Sequence, residues 1–249
     1  MTQSGNTKRP SPAGLHVALI MDGSGRWAQR RGWPRSIGHR AGAETVRRIV
    51  HCAPEYGIGT LTLFAFSAAN WRRSASEAAA LMSIFQDYLE TERTDHLSRG
   101  VRLNVIGRRD RLPAALVASI RRSERATSGC ARLHLRLAID YSARESLVEA
   151  AFRVSPRTSA SPADFSRQFA ETLAEVIHDL APAPDVDLLI RTGGEQRLSD
   201  CLLWEGAFAE IIFSDRLWPD FSETDLGAAV DEFQLRERRF GGVVESAAS

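Results

Sequence analysis

The chain has 249 residues, 43% of them hydrophobic and 25% charged, with a formal net charge of +1. That balance belongs to a folded globular chain, and near-neutrality gives no global pull toward nucleic acid or an anionic membrane. No run of about 18 apolar residues offers a membrane span, Cys52, Cys130 and Cys201 are too scattered for a C-x-x-C site or a disulfide framework, and residues 1–14 lack an apolar signal core and read as a disordered tail, so the chain reads as cytoplasmic.

The first element is a strand, Leu15 to Met21, which breaks at once into Asp22-Gly23-Ser24-Gly25-Arg26-Trp27. Asp22 is a hard oxygen ligand at a strand tip, Gly23 and Gly25 let backbone N–H groups approach an anion, and Arg26 offers a planar fork suited to phosphate. Two readings are open: a metal-bridged phosphate site, or an Asp-Gly turn beside a surface arginine. Lys8 is the only lysine, so arginines carry weight as site residues only beside glycines, serines or acids. A loop runs to Ser36 with Arg30, Arg31 and Arg35, and a helix begins near Gly38-His39-Arg40, ended by Pro54 near Tyr56-Gly57. The free N–H groups of such a start can hold an anion; His39 itself reads equally as a cap or a core histidine.

Gly59 to Phe66 is the second strand, with a polar tip from Ser67 through Asn70, Trp71 and Arg73 to Ser74. Ser74 and Glu77 have capping-box spacing. The helix they start carries an apolar stripe, Leu81, Ile84, Phe85, Tyr88 and Leu89, which reads as core or as the wall of an apolar tunnel. Val101–Gly107 is a third strand, Arg111–Ser128 a helix, and Leu133–Tyr141 a fourth strand. Ser142 and Glu145 open a helix through Arg153; Ser155–Pro162 is a loop; Ala163–Leu180 is helical and closed by Pro182 and Pro184. Asp185–Arg191 is the fifth strand. Its tip, Arg191-Thr192-Gly193-Gly194-Glu195-Gln196-Arg197-Leu198-Ser199, is a second phosphate-site candidate. Ala209–Phe213 is the sixth strand, and Ser222 with Asp225 opens a last helix ending at Arg236–Gly242. Alternating strands and helices predict a single α/β domain over 15–242, an open, mostly parallel six-stranded sheet flanked by helices, followed by a flexible end at 243–249.

In a parallel sheet all carboxyl ends share one edge, so Asp22, Ser67, Tyr141 and Arg191 are expected to line one cleft. The sequence has no G-x-x-x-x-G-K-[ST] and no G-x-G-x-x-G after a strand. A Ser67–His39–Asp22 hydrolytic triad lacks the G-x-S-x-G elbow. The composite fits binding of two diphosphates beside apolar walls.

These segments resemble the cis-prenyltransferases, the undecaprenyl diphosphate synthase family. The resemblance rests on His16–Gly23 with Gly25–Ala28, Gly38–Gly42, Leu61–Ser67 with Asn70-Trp71, Asp187–Ser199, Leu202–Trp204, Glu210, Trp218–Phe221 and Arg236–Gly242, in order along the chain. It implies a homodimeric, Mg²⁺-dependent enzyme that joins an allylic prenyl diphosphate to a second five-carbon prenyl diphosphate. Asp22 would hold the metal, with Glu210 reaching it from the partner subunit. Gly23 to Arg26, Arg35 and His39 would cradle the allylic diphosphate, with Ser24 and Ser67 beside the chemistry and Trp27, Asn70, Trp71 and Arg73 among the substrate contacts. Arg191, Arg197 and Ser199 would bind the second diphosphate, and the Arg238–Gly241 tail would close over the neighbouring site. Phe85 and Tyr88 would wall the tunnel, with Tyr88 where long-chain members carry a small residue, so that a product of about two or three isoprene units is expected on grounds of volume.

The chain departs from the family pattern at particular positions. Ser24 replaces a usual asparagine, Ala69 a usual glutamate and Asp200 a usual asparagine, and Asp140-Tyr141-Ser142-Ala143 replaces Asn-Tyr-Gly-Gly. Two chemistry-proximal changes beside retained arginines favour an irregular, branched head-to-middle (lavandulyl-type) coupling. Regular cis elongation with isopentenyl diphosphate and a non-catalytic subunit are the alternatives.

Overall fold

The computed structural model describes residues 14–154 and 161–236. The expected disordered tail, the flexible carboxyl end and the closing segment with Arg238 lie outside the described residues.

Six strands form one sheet: β1 (Leu15–Ile20), β2 (Ile58–Ser67), β3 (Val101–Ile106), β4 (Leu133–Tyr141), β5 (Leu188–Arg191) and β6 (Glu210–Phe213). Their order is β3-β4-β2-β1-β5-β6 and every pairing is parallel, as alternating strands and helices require. The helices are α1 (Ser24–Gln29), α2 (Arg35–Cys52), α3 (Ala75–Thr91), α4 (Arg93–Arg99), α5 (Ala114–Thr127), α6 (Ala143–Arg153), α7 (Pro162–Val176) and α8 (Glu223–Leu235). Strand alternation divides the core in two. Val17, Leu19, Leu61, Leu63, Leu135 and Leu137 pack with α2, α3, α5 and α8 on one face. Ala18, Ile20, Phe64, Ala138 and Tyr141 pack with α6 and α7 on the other.

Two helices depart from the expected elements. Where a loop is expected from Asp22 to Ser36, α1 forms a turn and a half against α2. Gly38 permits the approach, since a Cβ there would sit 1.9 Å from the Ser24 carbonyl oxygen. The helix expected from Gly38 therefore begins at Arg35, and its free N–H groups are those of the turn before His39-Arg40. α4 follows α3 after a break at Glu92. At the far end, α7 stops at Val176, four residues early, and Asp179 beyond it pairs with buried Arg136. The last helix ends at Leu235, with Arg236, the first residue of the arginine cluster, as its C-cap.

Candidate functional site

The carboxyl edge of the sheet gathers the first cluster. Asp22 follows β1 and Arg191 ends the neighbouring β5. Arg191, 4% exposed, donates from Nη2 to Asp22 Oδ2 at 2.9 Å and from Nη1 to Ser199 Oγ at 2.7 Å. Arg26 donates to Asp22 Oδ1 at 3.2 Å. Burial pushes the Asp22 carboxyl upward, but the Arg191 hydrogen bond and the two guanidinium charges outweigh it and hold the group below its ordinary value. Gly193 lets the two tips meet: at φ +85° it places its Cα where a Cβ would lie 2.7 Å from Arg26 Nη2 and 3.0 Å from the Asp22 carbonyl oxygen. Gly23, at φ +109°, makes the turn into α1. Arg197 is mostly exposed and pairs with Glu195 at 2.5 Å.

A second cluster lies where α1, α2 and α3 meet. Glu77 accepts from Arg35 Nε at 3.2 Å and Arg73 Nη1 at 3.0 Å, and its Oε1 is 3.2 Å from His39 Nε2. Ser74 caps α3 by accepting from the Glu77 N–H at 3.3 Å. The capping box is only half made, because the Glu77 carboxylate turns toward the basic residues instead of the Ser74 backbone. Burial raises Glu77, while His39, Arg35 and Arg73 together pull it below its usual value. Burial lowers His39, and Glu77 opposes this only in part, so the ring is depressed overall. Three cationic or hydrogen-bonding groups sharing one carboxylate form a half-exposed anion cradle. Gly25 is part of it, since a Cβ there would meet the Arg35 guanidinium at 2.4 Å.

Between the clusters opens an apolar cavity of about 90 Å³, room for about six to nine waters. Ser24 and His39 stand on its wall, with Met21, Val46, Ala65, Leu81, Ile84, Phe85, Tyr88, Leu137, Ile139 and Trp218. Glu77 and Tyr88 are eleven residues apart on α3, about 16 Å along its axis. The cavity therefore runs from the anion cradle toward Tyr88. Phe85 stacks edge-on to Phe66, which stacks edge-on to Trp71. The Trp71 Nε1 donor is buried with no partner among the described residues. The apolar stripe of α3 is thus both core and cavity wall.

Several expected site residues stand elsewhere. Tyr141 does not line the cleft: it is buried on the α6/α7 face, edge-on to Phe64, because Asp140, at φ +54°, breaks the alternation that would have set it on the same face as Ile139. Glu210 opens β6, in register with Leu188, while Phe213 is in register with Arg191. It lies about 10 Å down the strand from the edge that carries Asp22, and accepts from Arg236 at 3.0 Å. Ser67 and Asn70 cap each other's backbone in the turn after β2. Trp27 donates to Asp220 at 2.6 Å, with Arg31 4.0 Å over its ring. Ala69 is exposed. Asp200 accepts from Ser142 Oγ at 2.5 Å and from the Arg144 N–H at 2.8 Å, so it anchors the start of α6. Asp140 takes a two-pronged pair with Arg111.

Among the described residues, the other group with metal-ligand geometry is His51, Glu92 and Asp95, where Arg47 and Arg99 already take up the two carboxylates. Glu77 carries the signal that sequence reading missed. Its capping spacing accounted for it locally, and its partners at positions 35 and 39 are visible only in three dimensions.

A parallel sheet whose carboxyl edge is rich in arginine, with an apolar cavity opening beside it, defines a class of α/β proteins suited to amphiphiles with an anionic head and an apolar tail. The model of the family described as putative undecaprenyl diphosphate synthase matches residues 20–241. Isoprenyl transferase 1 of Bradyrhizobium diazoefficiens is 53% identical over 92% of this chain and 90% of its own length. The ditrans,polycis-undecaprenyl-diphosphate synthase of Escherichia coli K12, described as specific for (2E,6E)-farnesyl diphosphate, is 44% identical over 97% of this chain and 95% of its own. Among solved structures, lavandulyl diphosphate synthase from Lavandula x intermedia, in complex with dimethylallyl diphosphate, superposes with a TM-score of 0.83 at 33% identity, covering 92% of this chain and 98% of that one. A probable undecaprenyl diphosphate synthase from Campylobacter jejuni gives 0.73 at 32% identity, with the same coverage. The chain belongs to the undecaprenyl diphosphate synthase family and is a prenyltransferase. No helix among the described residues is long and apolar enough to cross a membrane.

Proposed function

We propose that this prenyltransferase joins a short allylic diphosphate, dimethylallyl or geranyl, to a second five-carbon prenyl diphosphate and stops at a ten- or fifteen-carbon product. The observation that carries this reading is the cavity, apolar along α3, walled by Tyr88 and flanked by an arginine-rich edge. The tail of the donor lies along Phe85 toward Tyr88, and its diphosphate lies on Arg26, Arg35, His39 and Arg73 with the N–H groups of Gly23 to Arg26. The second diphosphate lies on Arg191, Arg197 and Ser199. Trp71, with its buried indole N–H unpaired, borders the region where the two substrates meet.

Magnesium fits the donor set. Asp22 presents a half-exposed carboxylate held ionised by Arg191 and Arg26, and this ion is commonly held by one or two carboxylates together with substrate phosphates. When bound it supplies charge neutralisation on the departing diphosphate. Arg26, Arg35 and Arg73 act on the same developing charge from fixed positions, and the apolar walls exclude water from the allylic cation until the second substrate's double bond captures it; the new carbocation then loses a proton to give the product alkene. We assign the second carboxylate near the metal to Glu210 of the partner subunit in a homodimer, because within one chain it stands at the wrong end of β6. We take residues 15–242 as one catalytic domain.

We read the coupling as head-to-middle, with a branched product. Ser24, on the cavity wall, stands where the family carries asparagine, and Ala69 stands where it carries glutamate. The structural likeness to lavandulyl diphosphate synthase supports this reading. A second reading, regular cis elongation with isopentenyl diphosphate, is favoured by the names of the curated bacterial relatives. The test is to incubate the purified protein and Mg²⁺ with dimethylallyl or geranyl diphosphate, with and without isopentenyl diphosphate, and analyse dephosphorylated products by mass spectrometry. A branched alcohol formed without isopentenyl diphosphate is expected, and the Ser24→Asn, Ala69→Glu double variant should shift product toward linear coupling. Linear cis products that require isopentenyl diphosphate would establish the second reading. A protein inactive in every mixture would overturn both.

A further inference from the structure

One residue of the cavity wall is hydrogen-bonded to a buried histidine behind it. Tyr88 on α3 lines the cavity, and its phenol oxygen is 3.2 Å from His96 Nε2 on α4. The two rings are tilted at 57° with centroids 5.7 Å apart. Tyr88 is 6% exposed and His96 1%, so neither polar group reaches bulk water. Burial pushes the imidazole down to about 4 and raises the phenol well above its usual value. At neutral pH both are uncharged and share one hydrogen bond.

The histidine stands on a fixed platform. The first turn of α4, just before His96, is tied to α2: Arg47 Nε donates to Glu92 Oε1 at 2.6 Å, and His51 Nε2 is 2.7 Å from Asp95 Oδ2. α2 in turn supplies the opposite wall of the cavity through His39, Gly42, Ala43 and Val46. The chain of contacts runs from one wall, through the Arg47–Glu92 ion pair, the His51–Asp95 contact and one imidazole, to the ring on the other wall.

We propose that His96 is a positioning residue that locks the Tyr88 ring as the floor of the chain-binding cavity, and so sets the longest allylic donor and product the enzyme accepts. This rests on the short-chain reading of the same cavity. The physical ground is the cost of an orphaned buried hydroxyl. With His96 in place, the phenol is satisfied in the conformation that closes the cavity. With an apolar residue there, the hydroxyl has no partner, and the ring is released to turn toward the open, wetter end, which deepens the space beside Phe85. Glutamine, whose amide reaches about as far as Nε2, restores the partner.

The test compares wild type with His96→Leu, His96→Gln and Tyr88→Phe. Each is supplied with Mg²⁺ and dimethylallyl, geranyl or farnesyl diphosphate, with and without isopentenyl diphosphate. The readouts are the longest product, the kcat and KM for each donor, and the Tm. His96→Leu is expected to extend the longest product by at least one five-carbon unit. It should also raise the kcat/KM ratio of farnesyl over geranyl donor about tenfold, chiefly through KM. His96→Gln should keep the wild-type products. Tyr88→Phe, which removes the hydroxyl instead of orphaning it, should keep the wild-type products. A folded His96→Leu protein with the wild-type donor range and products would overturn the proposal. If that variant does not fold, His96→Ala, which orphans the same hydroxyl, decides, and an unchanged donor range and product set would overturn the proposal. A wild-type enzyme making long chains would sink the short-chain reading, while the difference between variants would still report on the lock.

Discussion

On the face covered by α2 and α3, the sheet leaves a cavity; on the face covered by α6 and α7, it fills the same depth with charge. There Arg136, fully buried, donates from Nε and Nη2 to Asp179 at 2.9 and 2.6 Å, from Nη2 to Glu205 at 3.2 Å and from Nη1 to Thr62 at 3.0 Å. His16 sits 2.8 Å from the same Thr62 hydroxyl and 2.8 Å from the Pro184 carbonyl oxygen. Proteins pack their interiors to crystal-like density, so an apolar void next to an arginine-rich edge costs stability and is retained for what it holds. A buried guanidinium with matched acids holds parts of the fold in register and leaves no room for a ligand. The comparison separates residues that act on substrate from residues that hold the sheet together.

The sharpest way to break it is at the open edge. Asp22→Ala should lower kcat/KM per folded molecule by at least about 10³-fold; it also strips buried Arg191 of its carboxylate, so some loss of Tm accompanies it. Activity within tenfold of wild type would remove Asp22 from the chemistry. On the closed face the expectation reverses. Arg136→Met leaves Asp179 and Glu205 as uncompensated buried charges and should cost about 3–5 kcal/mol in denaturant unfolding, with kcat per folded molecule unchanged. A variant as stable as wild type would show that the network carries no structural load. Tyr88→Ala should combine the two effects in smaller measure, losing some stability and lengthening the product by at least one five-carbon unit. Unchanged product length would place Tyr88 in the core alone.

The smallest effect is a pH dependence. Burial pushes His16 down to about 3 and His134 and His96 to about 4, against about 6.5 in an unfolded chain. Between those values the unfolded chain binds more protons than the folded one, so stability rises with pH, is complete above about 6.5, and is lost as pH falls toward 4 and then 3. The Tm should drop by about 10 °C or more from pH 7 to pH 5. A flat profile over that range would contradict the burial of these rings as uncharged groups.

Legibility in the sequence followed the range of the interactions. β4 is readable to the residue because Leu133, Leu135, Leu137 and Ile139 alternate with His134, Arg136 and Asp140, and the start of α8 is readable because Ser222 and Asp225 make both halves of a capping box. α1 is not, since six residues hold a helix only where Gly38 lets them pack against α2, nor is α4, seven residues without a capping side chain. In the site, Asp22, Arg26 and Arg191 are readable because glycines, acids and arginines cluster at strand tips. Glu77 and His96 are not, because Glu77 meets residues of α2 and His96 meets Tyr88 across the break between α3 and α4. Tyr141 is expected in the cleft from its place at a strand tip, and the left-handed turn at Asp140 puts it on the other face. Glu210 shares a strand with the edge but opens it.

The central claim is that the cavity from Ser24 to Tyr88 holds the prenyl chain. Co-crystallisation with Mg²⁺ and the non-hydrolysable geranyl thiolodiphosphate tests it most directly. The account predicts the ten-carbon chain between α2 and α3, ending against the Tyr88 ring, with the diphosphate on Arg26, Arg35 and His39. A chain seated anywhere else, with this cavity still empty, would contradict it.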